Sequence, residues 1–565
     1  MSYQDVSIRE LVAQMKRGDI RLPEMQRGYV WKSTQVRDLL DSLYRGYPSG
    51  TILTWQTDDP VETRDPAIKQ TGGGVDRYQL LLDGQQRLTS MAAVLNGDLI
   101  HVKRRARPID ILFNLNHPDN PFVMSEVHQG DEDEIDAESS DIEEDDLQSR
   151  FDRMAFVVKT KKLANLPHWV SVTDVFKSDG NSKFLQRAGV NSFNDPNFQK
   201  WDKRLNRLRD IAKYSYRVNV LERAKSYEEV TEIFVRVNSL GTKLRGADLA
   251  LAQITAKWPG SLAQFEEFQS KCKFDLDIST HIKNLIVFAT GQSRFKTVHS
   301  LSQNALKDAW NKCKDGMNYA VNFIKSNAEI DDSFLLASPF ILIPIAYYAH
   351  RKNYALTGND AENLKYWAML ANAKARYSRG STETFLDQDL RAIRGDNQTE
   401  ELLRILRAQV GRLKVLPEDL ENRNTRSAYF KVMFMAFRAA GAKDWRNRIK
   451  IAPNSSGIKL SLQFHHIFPK SRQREIDCSK TLINDISNMA FISGKTNRWI
   501  NNRKPSDYLP RLVSEMGKAE LEKQCIPVDK ELWKLNSYED FLRQRRALIA
   551  DRLNDYLKIR NDNSQ

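Results

Sequence analysis

Two adjacent histidines, His465 and His466, end the apolar run L-Q-F-H-H-I-F-P-K-S at 462–471, and asparagines follow at Asn488 and Asn497 among many Lys and Arg residues. Hydrolysis of a phosphodiester calls for such a set, because negative oxygens repel the attacking water and the leaving alkoxide is poor. A divalent cation neutralises the phosphate, and a neutral imidazole takes the proton from water. The stretch S-L-Q-F-H-H reads as a strand whose last two residues point to opposite faces, so the two histidines do different jobs. Pro469-Lys470-Ser471 then turns the chain. Asn488 falls in a second strand-like run, M-A-F-I-S, and T-N-R-W-I-N-N opens a helix that brings Asn497 back over the hairpin. The expected catalytic roles are His466 as general base and Asn488 as a hydrogen-bonding brace. His465 and Asn497 are the expected ligands of Mg2+ or another divalent cation. Lys470, Lys495, Arg498 and Arg503 are candidate DNA contacts. On spacing alone, ordinary surface polar residues remain the alternative.

A second set lies near the other end. Tyr78 to Leu82 reads as an apolar strand running into D-G-Q-Q-R, and Leu88, Met91, Ala92 and Leu95 give the following helix a buried face. Asp83-Gly84 is then a strand-to-helix turn, and Gln85, Gln86 and Arg87 open the helix. Free backbone N–H groups and the positive end of the helix dipole stabilise an anion there. Arg87 can grip a phosphate in bidentate fashion, and Asp83 can hold a metal or polarise a water. The plainer alternative has Asp83 capping the helix and Arg87 paired with a nearby carboxylate.

The elements that must position these sets follow from periodicity. Ser7-Ile-Arg-Glu10 is a capping box that opens a helix over 7–17, closed by Gly18. Residues 21–31 are extended, a helix carrying Val36, Leu39, Leu40 and Leu43 ends at Gly46, and 51–55 reads as a strand. Strands are also expected at Ile109 to Leu115 and Tyr214 to Leu221. Tyr227 to Val237 reads as a helix, with Arg236 and Asn238 at its C-terminal end as either capping or site residues. From about 247 to 450 the pattern is helical, broken by the basic, polar R-Y-S-R-G-S-T-E-T-F at 376–385. The run Phe334 to Ala349 carries Pro339 and Pro344 and is short for a membrane span, so it reads as buried helix.

The 565 residues exceed one core, and the formal charge is +13 with pI near 9.3. Asp131 to Asp146 holds eleven acids and no Lys or Arg; without it the body is +24. Such a body favours a polyanion, nucleic acid before membrane. The acidic block, within about 129–148, reads as a solvated, disordered loop or as a DNA mimic filling a basic groove. Cys272, Cys313, Cys478 and Cys525 form no C-x-x-C pair, which fits a reducing cytoplasm, and no secretory signal opens the chain.

These motifs together resemble a known family. His465-His466-Ile467-Phe468-Pro469, Asn488 and Asn497-Arg498 resemble the HNH (ββα-metal) nucleases, with asparagine at the last position. P-x-x-Q-R-x-Y-V-W at 23–31, D-G-Q-Q-R at 83–87 and F-x-R-x-N-x-x-G-x-x-L at 234–244 resemble a ParB/sulfiredoxin-like domain. In this order they are similar to GmrSD-type restriction enzymes of bacterial anti-phage defence. The resemblance implies an α+β chain: a nucleotide-binding and hydrolysing ParB/sulfiredoxin-like domain at 1–246, a helical linker at 247–420 and an HNH domain with a helical tail at 421–565. It implies a nucleoside triphosphate bound by Gln26, Arg27, Asp83, Gly84, Gln85, Gln86, Arg87, Arg236 and Asn238, with Asp83 and Arg87 catalytic. The implied activity is Mg2+-dependent cutting or nicking of double-stranded DNA, modified phage DNA foremost, with no membrane partner and with room for a homo-oligomer. Rivals are a nucleotide-gated nuclease for unmodified phage DNA or RNA, and a non-cleaving, nucleotide-sensing DNA-binding regulator.

Overall fold

The structure, a computed structural model, describes residues 2–26, 28–57, 61–64, 78–102, 105–119, 151–240, 246–396, 398–451, 462–473 and 479–559. The acidic block and Arg27 lie outside them. The chain is mixed α and β, mostly helical, and divides into two compact units, Met1–Leu262 and Ala263–Gln565.

In the first unit, strand β1 (Ser2–Ser7) leads into α1 (Ile8–Arg17). The Ser7 hydroxyl accepts the Glu10 N–H, Gly18 at φ 82° closes the helix, and Ile8, Leu11, Val12 and Met15 form its buried stripe. There follow β2 (Ile20–Pro23), α2 (Ser33–Arg45), β3 (Ile52–Gln56), β4 (Thr63–Arg64), β5 (Gln79–Asp83) and α3 (Gln85–Asn96). After the β6–β7 ribbon (Ile100–Val102, Arg105–Arg107), β8 (Ile111–Asn114), β9 (Phe156–Val158) and β10 (Trp169–Ser171) form a small antiparallel sheet in the order β10-β8-β9. Strand β11 (Ser215–Leu221) returns to the main sheet, whose order is β1-β11-β3-β5-β2-β4. Pairing is parallel for β11/β3 and β2/β5 and antiparallel elsewhere. At its centre β3 pairs Leu53 with Asp83 and Thr54 with Leu81, so Leu82 is an extra residue. That bulge re-aims the end of β5, where the D-G-Q-Q-R turn begins. Helices α4 (Tyr227–Leu240) and α5 (Gly246–Lys257) follow; Phe234 and Ala252 pack with Met25, Leu53, Leu80 and Leu82.

The second unit is built on helices α6 (Ile278–Thr290), α7 (Gln303–Ala328), α8 (Leu342–Arg351), α9 (Gly358–Ala373), α10 (Thr382–Arg394), α11 (Gln398–Val410) and α12 (Ala428–Ala439). The apolar run at 334–349 becomes two short 3-10 turns and α8; α8 is mostly buried, Phe334 is exposed, and Pro344 is tolerated in the first turn of α8. Among the described residues no helix is long and apolar enough to cross a membrane. Strands β12 (Leu462–His466) and β13 (Met489–Ser493) pair antiparallel, followed by α13 (Gly494–Ile500), α14 (Pro505–Met516) and α15 (Tyr538–Leu557). One core includes residues of α7–α12, β13 and α15, and a second gathers Trp445, Ile467, Phe468, Ala490, Ile492 and Tyr508.

Each unit buries a neutral histidine away from any proposed metal. Burial lowers the pKa of His117, bonded to Tyr44 and Pro118, to about 4. Burial likewise lowers that of His281, bonded to Gln269, to about 4. Both lie below the ordinary 6.5. Their contribution is therefore whole above that value and is lost as pH falls, because the unfolded chain takes up protons first. We expect a loss of about 1–2 kcal/mol per histidine near pH ~5. Urea unfolding at about pH 7 and about pH 5 measures it, and His281→Gln should remove part of the difference; an equal slope in wild type and variant would refute the assignment.

Candidate active site

The β12–β13 hairpin separates its two histidines. His465 is 4% exposed; its Nδ1 lies 2.7 Å from Asn497 Oδ1, and its ring meets those of Trp445 and Tyr508 edge-on. Burial lowers its pKa to about 3, and Nε2 is a buried nitrogen with no hydrogen-bond partner among the described residues. His466, one residue on, contacts Asn484 Oδ1 through Nε2 at 3.2 Å. Burial, with the Lys470 charge second, lowers its pKa to about 4. Both imidazoles are therefore neutral at pH 7, one state a ligand needs and a base starts from.

Asn488 is fully buried. Its Oδ1 accepts the Phe468 N–H at 2.9 Å, and its Nδ2 donates to Phe468 O and Ile483 O. It sits in a 3-10 turn, Ile486–Asn488, just before β13 rather than inside the strand, because the Asp485 side chain caps Ser487 N–H and curls the chain there. Helix α13 also starts earlier than its sequence suggests, since Ser493 caps it, so Asn497 falls in the first turn and faces His465.

Four supports have no motif of their own. Asp444 Oδ1 accepts from Thr496 Oγ1 and the N–H groups of Arg446 and Asn447, and its Oδ2 accepts from Ser493 N–H at 2.6 Å. Burial opposes its charge, yet these donors hold its carboxyl below the usual range. Gln524 pairs with both backbone groups of Phe491, standing in for a third strand. Arg545, fully buried, donates to the carbonyls of Ser487, Met489, Gln524 and Cys525, and burial lowers its pKa to about 10. Asn484 is the fourth; neither its type nor its distance along the chain marks it as a partner of His466.

Around the hairpin, Lys495 and Arg498 are exposed on α13 and Lys470 is half-buried. Arg503 and Arg446 both lie over the Trp499 ring. Among the described residues, no group of three or more His, Cys, Asp or Glu could hold a metal. The donors available beside the base are thus one imidazole and one amide.

In the first unit the D-G-Q-Q-R turn ties two loops together. Gly84, not Asp83, is the N-cap of α3, at φ 99°, and a Cβ there would collide with Ile52. Arg87 donates to Ser49 O at 2.5 Å, Thr51 O at 2.7 Å and Asp83 Oδ2 at 3.0 Å. Its guanidinium lies over the Tyr216 ring, and Gly50, at φ 90°, leaves the space it fills. Gln86 Oε1 accepts the N–H groups of Val30 and Trp31, and its Nε2 donates to Gly28 O. Gln26 donates to the bulge carbonyls Leu81 O and Leu82 O, and Tyr29 bonds Ser90. Gln85 is buried at the start of α3.

The structure therefore brings Gln26, Asp83, Gly84, Gln85, Gln86 and Arg87 together. Arg236 is exposed and ion-paired with Glu232 one turn back. Asn238 lies on α4, with its side chain outside the described set, as are Arg27, Gly241 and Leu244. Ser49, Gly50 and Tyr216 complete the cluster; of these only Pro48-Ser49-Gly50 carried a signal, that of a turn.

Comparison with known proteins agrees for the first unit. An uncharacterized protein of Methanocaldococcus jannaschii is 23% identical over 593 aligned positions, covering 94% of this chain and 91% of that one. Residues 8–255 match the family described as GmrSD restriction endonuclease, N-terminal domain. The N-terminal region is thus of the GmrSD type, which points to a restriction-type nuclease role with DNA as substrate.

Proposed function

We propose that this protein is a nucleotide-dependent endonuclease of anti-phage defence that cuts or nicks modified phage DNA through an HNH centre formed by β12, β13 and α13. The observation that carries the reading is the 2.7 Å approach of His465 Nδ1 and Asn497 Oδ1, one residue from His466. An imidazole nitrogen and an amide oxygen, both neutral, fit a divalent cation, and the unpartnered Nε2 leaves His465 short of one polar contact. With two protein donors, Mg2+ would take the rest of its octahedral shell from water and phosphate oxygens, while imidazole also suits Mn2+. When bound, the cation would neutralise the scissile phosphate and stabilise the leaving oxygen.

The protein's own residues do the remaining work. With Nε2–H donating to Asn484, the basic lone pair of His466 sits on Nδ1 and takes the proton of the attacking water. Asn488 fixes the turn that aims it. Lys470, Lys495, Arg498 and Arg503 hold phosphates without reading sequence. At the other site, the free N–H groups at the start of α3 would receive the phosphates of a nucleoside triphosphate. Asp83 and Arg87 stand nearest the transferred group in this reading, with Gln26, Gln85 and Gln86 shaping the pocket; Arg27, Arg236 and Asn238 are the further nucleotide contacts that the resemblance implies.

Plasmid nicking in Mg2+ or Mn2+ tests the first site. His466→Ala should slow it by about 10²–10⁴-fold, the usual worth of a general base. An unchanged rate would remove His466 from the mechanism, and a wild type that cuts no DNA would favour a nucleotide-sensing DNA-binding regulator. Equal cutting of modified and plain phage DNA would discard the modified-DNA preference. For the second site, Arg87→Ala should abolish phosphate release from nucleoside triphosphates; wild-type release would sink that assignment.

A further inference from the structure

Helices α10 and α11 of the second unit enclose a cleft of about 700 Å³ that neither proposed site uses. Its volume lies in the range of small-molecule pockets. Phe385, Gln388 and Arg391 line it from α10, and Glu401, Arg404 and Gln409 from α11. Ala392, Ile405 and Ala408 add apolar surface.

The wall of this cleft is set by the basic motif at 376–385. Arg376 has a fully buried side chain that grips both oxygens of Asp389 at 2.7 Å and bonds Gln409 Oε1, while Gln409 Nε2 donates back to Arg376 O. Tyr377 adds its hydroxyl to Asp389, and the Arg376 guanidinium lies 5.5 Å over the Phe385 ring. Burying an ion pair contributes little net stability compared with apolar packing. What the cluster does achieve is to fix the Phe385 ring and the Gln409 amide before anything binds.

The chemistry of the lining selects among occupants. Arg391 and Arg404 are offset by Asp396 and Glu401, so the cleft has no net charge to attract a bare phosphate. A hydrocarbon would leave the Gln388 amide and the Arg391 guanidinium unmatched. A nucleobase has both an apolar face for Phe385 and a donor–acceptor edge for Gln388 and Arg391, neither of which has a side-chain partner among the described residues. We propose that the α10–α11 cleft binds a single nucleobase, stacked on Phe385 and read at its edge by Gln388 and Arg391. Where the base comes from a polynucleotide, the inference rests on the nuclease reading above, and the cleft would then select which nucleotide is engaged.

The experiment uses the full chain without divalent metal. Fluorescence anisotropy compares a duplex bearing one unpaired 2-aminopurine with the same duplex fully paired, and nucleoside monophosphates serve as competitors. Ala408→Trp fills the cleft from an exposed position; Gln388→Ala removes an edge contact without altering the wall. We expect the unpaired base to tighten binding about tenfold, and both variants to lose that gain while binding paired duplex as before. Competition by monophosphates would assign the cleft to free nucleotides as well. A preference that survives Ala408→Trp, or wild type that neither distinguishes the duplexes nor binds monophosphates, would overturn the proposal. Monophosphate binding lost in Ala408→Trp, with no duplex binding at all, would keep the cleft and discard the nuclease reading instead.

Discussion

A two-stranded ribbon of five-residue strands does not hold itself together in water, and the β12–β13 hairpin is such a ribbon. Everything packed around it compensates for that weakness. Gln524 satisfies the outer edge at Phe491, Arg545 gathers four carbonyls beneath it, and Asp444 ties Ser493 to the start of α13. These contacts come from residues 444, 524 and 545, before and well after the hairpin. Adjacent histidines can then face different surroundings at fixed positions, which a free hairpin could not maintain.

The same packing sets the charge state. Among the described residues Arg545 has no carboxylate at hydrogen-bond range, only carbonyls, and its lowered pKa reflects the cost of that burial. His465 and His466 meet the burial penalty by staying neutral. A cation at Lys470 adds to the effect on His466, so protonating that ring requires negative charge nearby. In the proposed nuclease reading, the charge of an engaged phosphodiester would supply it, which would couple proton uptake to the chemistry rather than to solvent pH.

Periodicity made most of the local elements legible. The stripe Ile8, Leu11, Val12, Met15 and the Ser7 cap located α1 within a residue, and the apolar run before Asp83 located β5. Pair order was not legible: that β3 lies between β11 and β5 depends on β11, more than a hundred residues further along the chain, and no residue type marked the bulge at Leu82. The same limit applies to the sites. Motif spacing singled out His465, His466, Asn488 and Asn497, but Asn484, Asp444 and Gln524 are ordinary polar residues whose importance arises only from where the fold brings them. Misplacing Asn488 into a strand had a local cause, since the Asp485 side-chain cap outweighed the β-propensity of the following run.

Arg87 illustrates how the two readings of a motif residue can be joined. Sequence offered it either as a phosphate grip or as the partner of a carboxylate, and its guanidinium is in fact divided among Asp83, Ser49 O and Thr51 O. An anion seated on the free N–H groups of α3 would compete with Asp83 for the same cation, and charge-assisted bonds to phosphate are stronger than bonds to neutral carbonyls. Drawing the guanidinium toward phosphate would unfasten residues 49–51, where Arg87 sits as it does only because Gly50 has no side chain to occupy its space. Those residues lead directly into β3, at the centre of the sheet. In the proposed reading, a side chain that clasps a loop and could instead grip an anion would convert occupancy into a change in backbone restraint, with no need for a separate sensor.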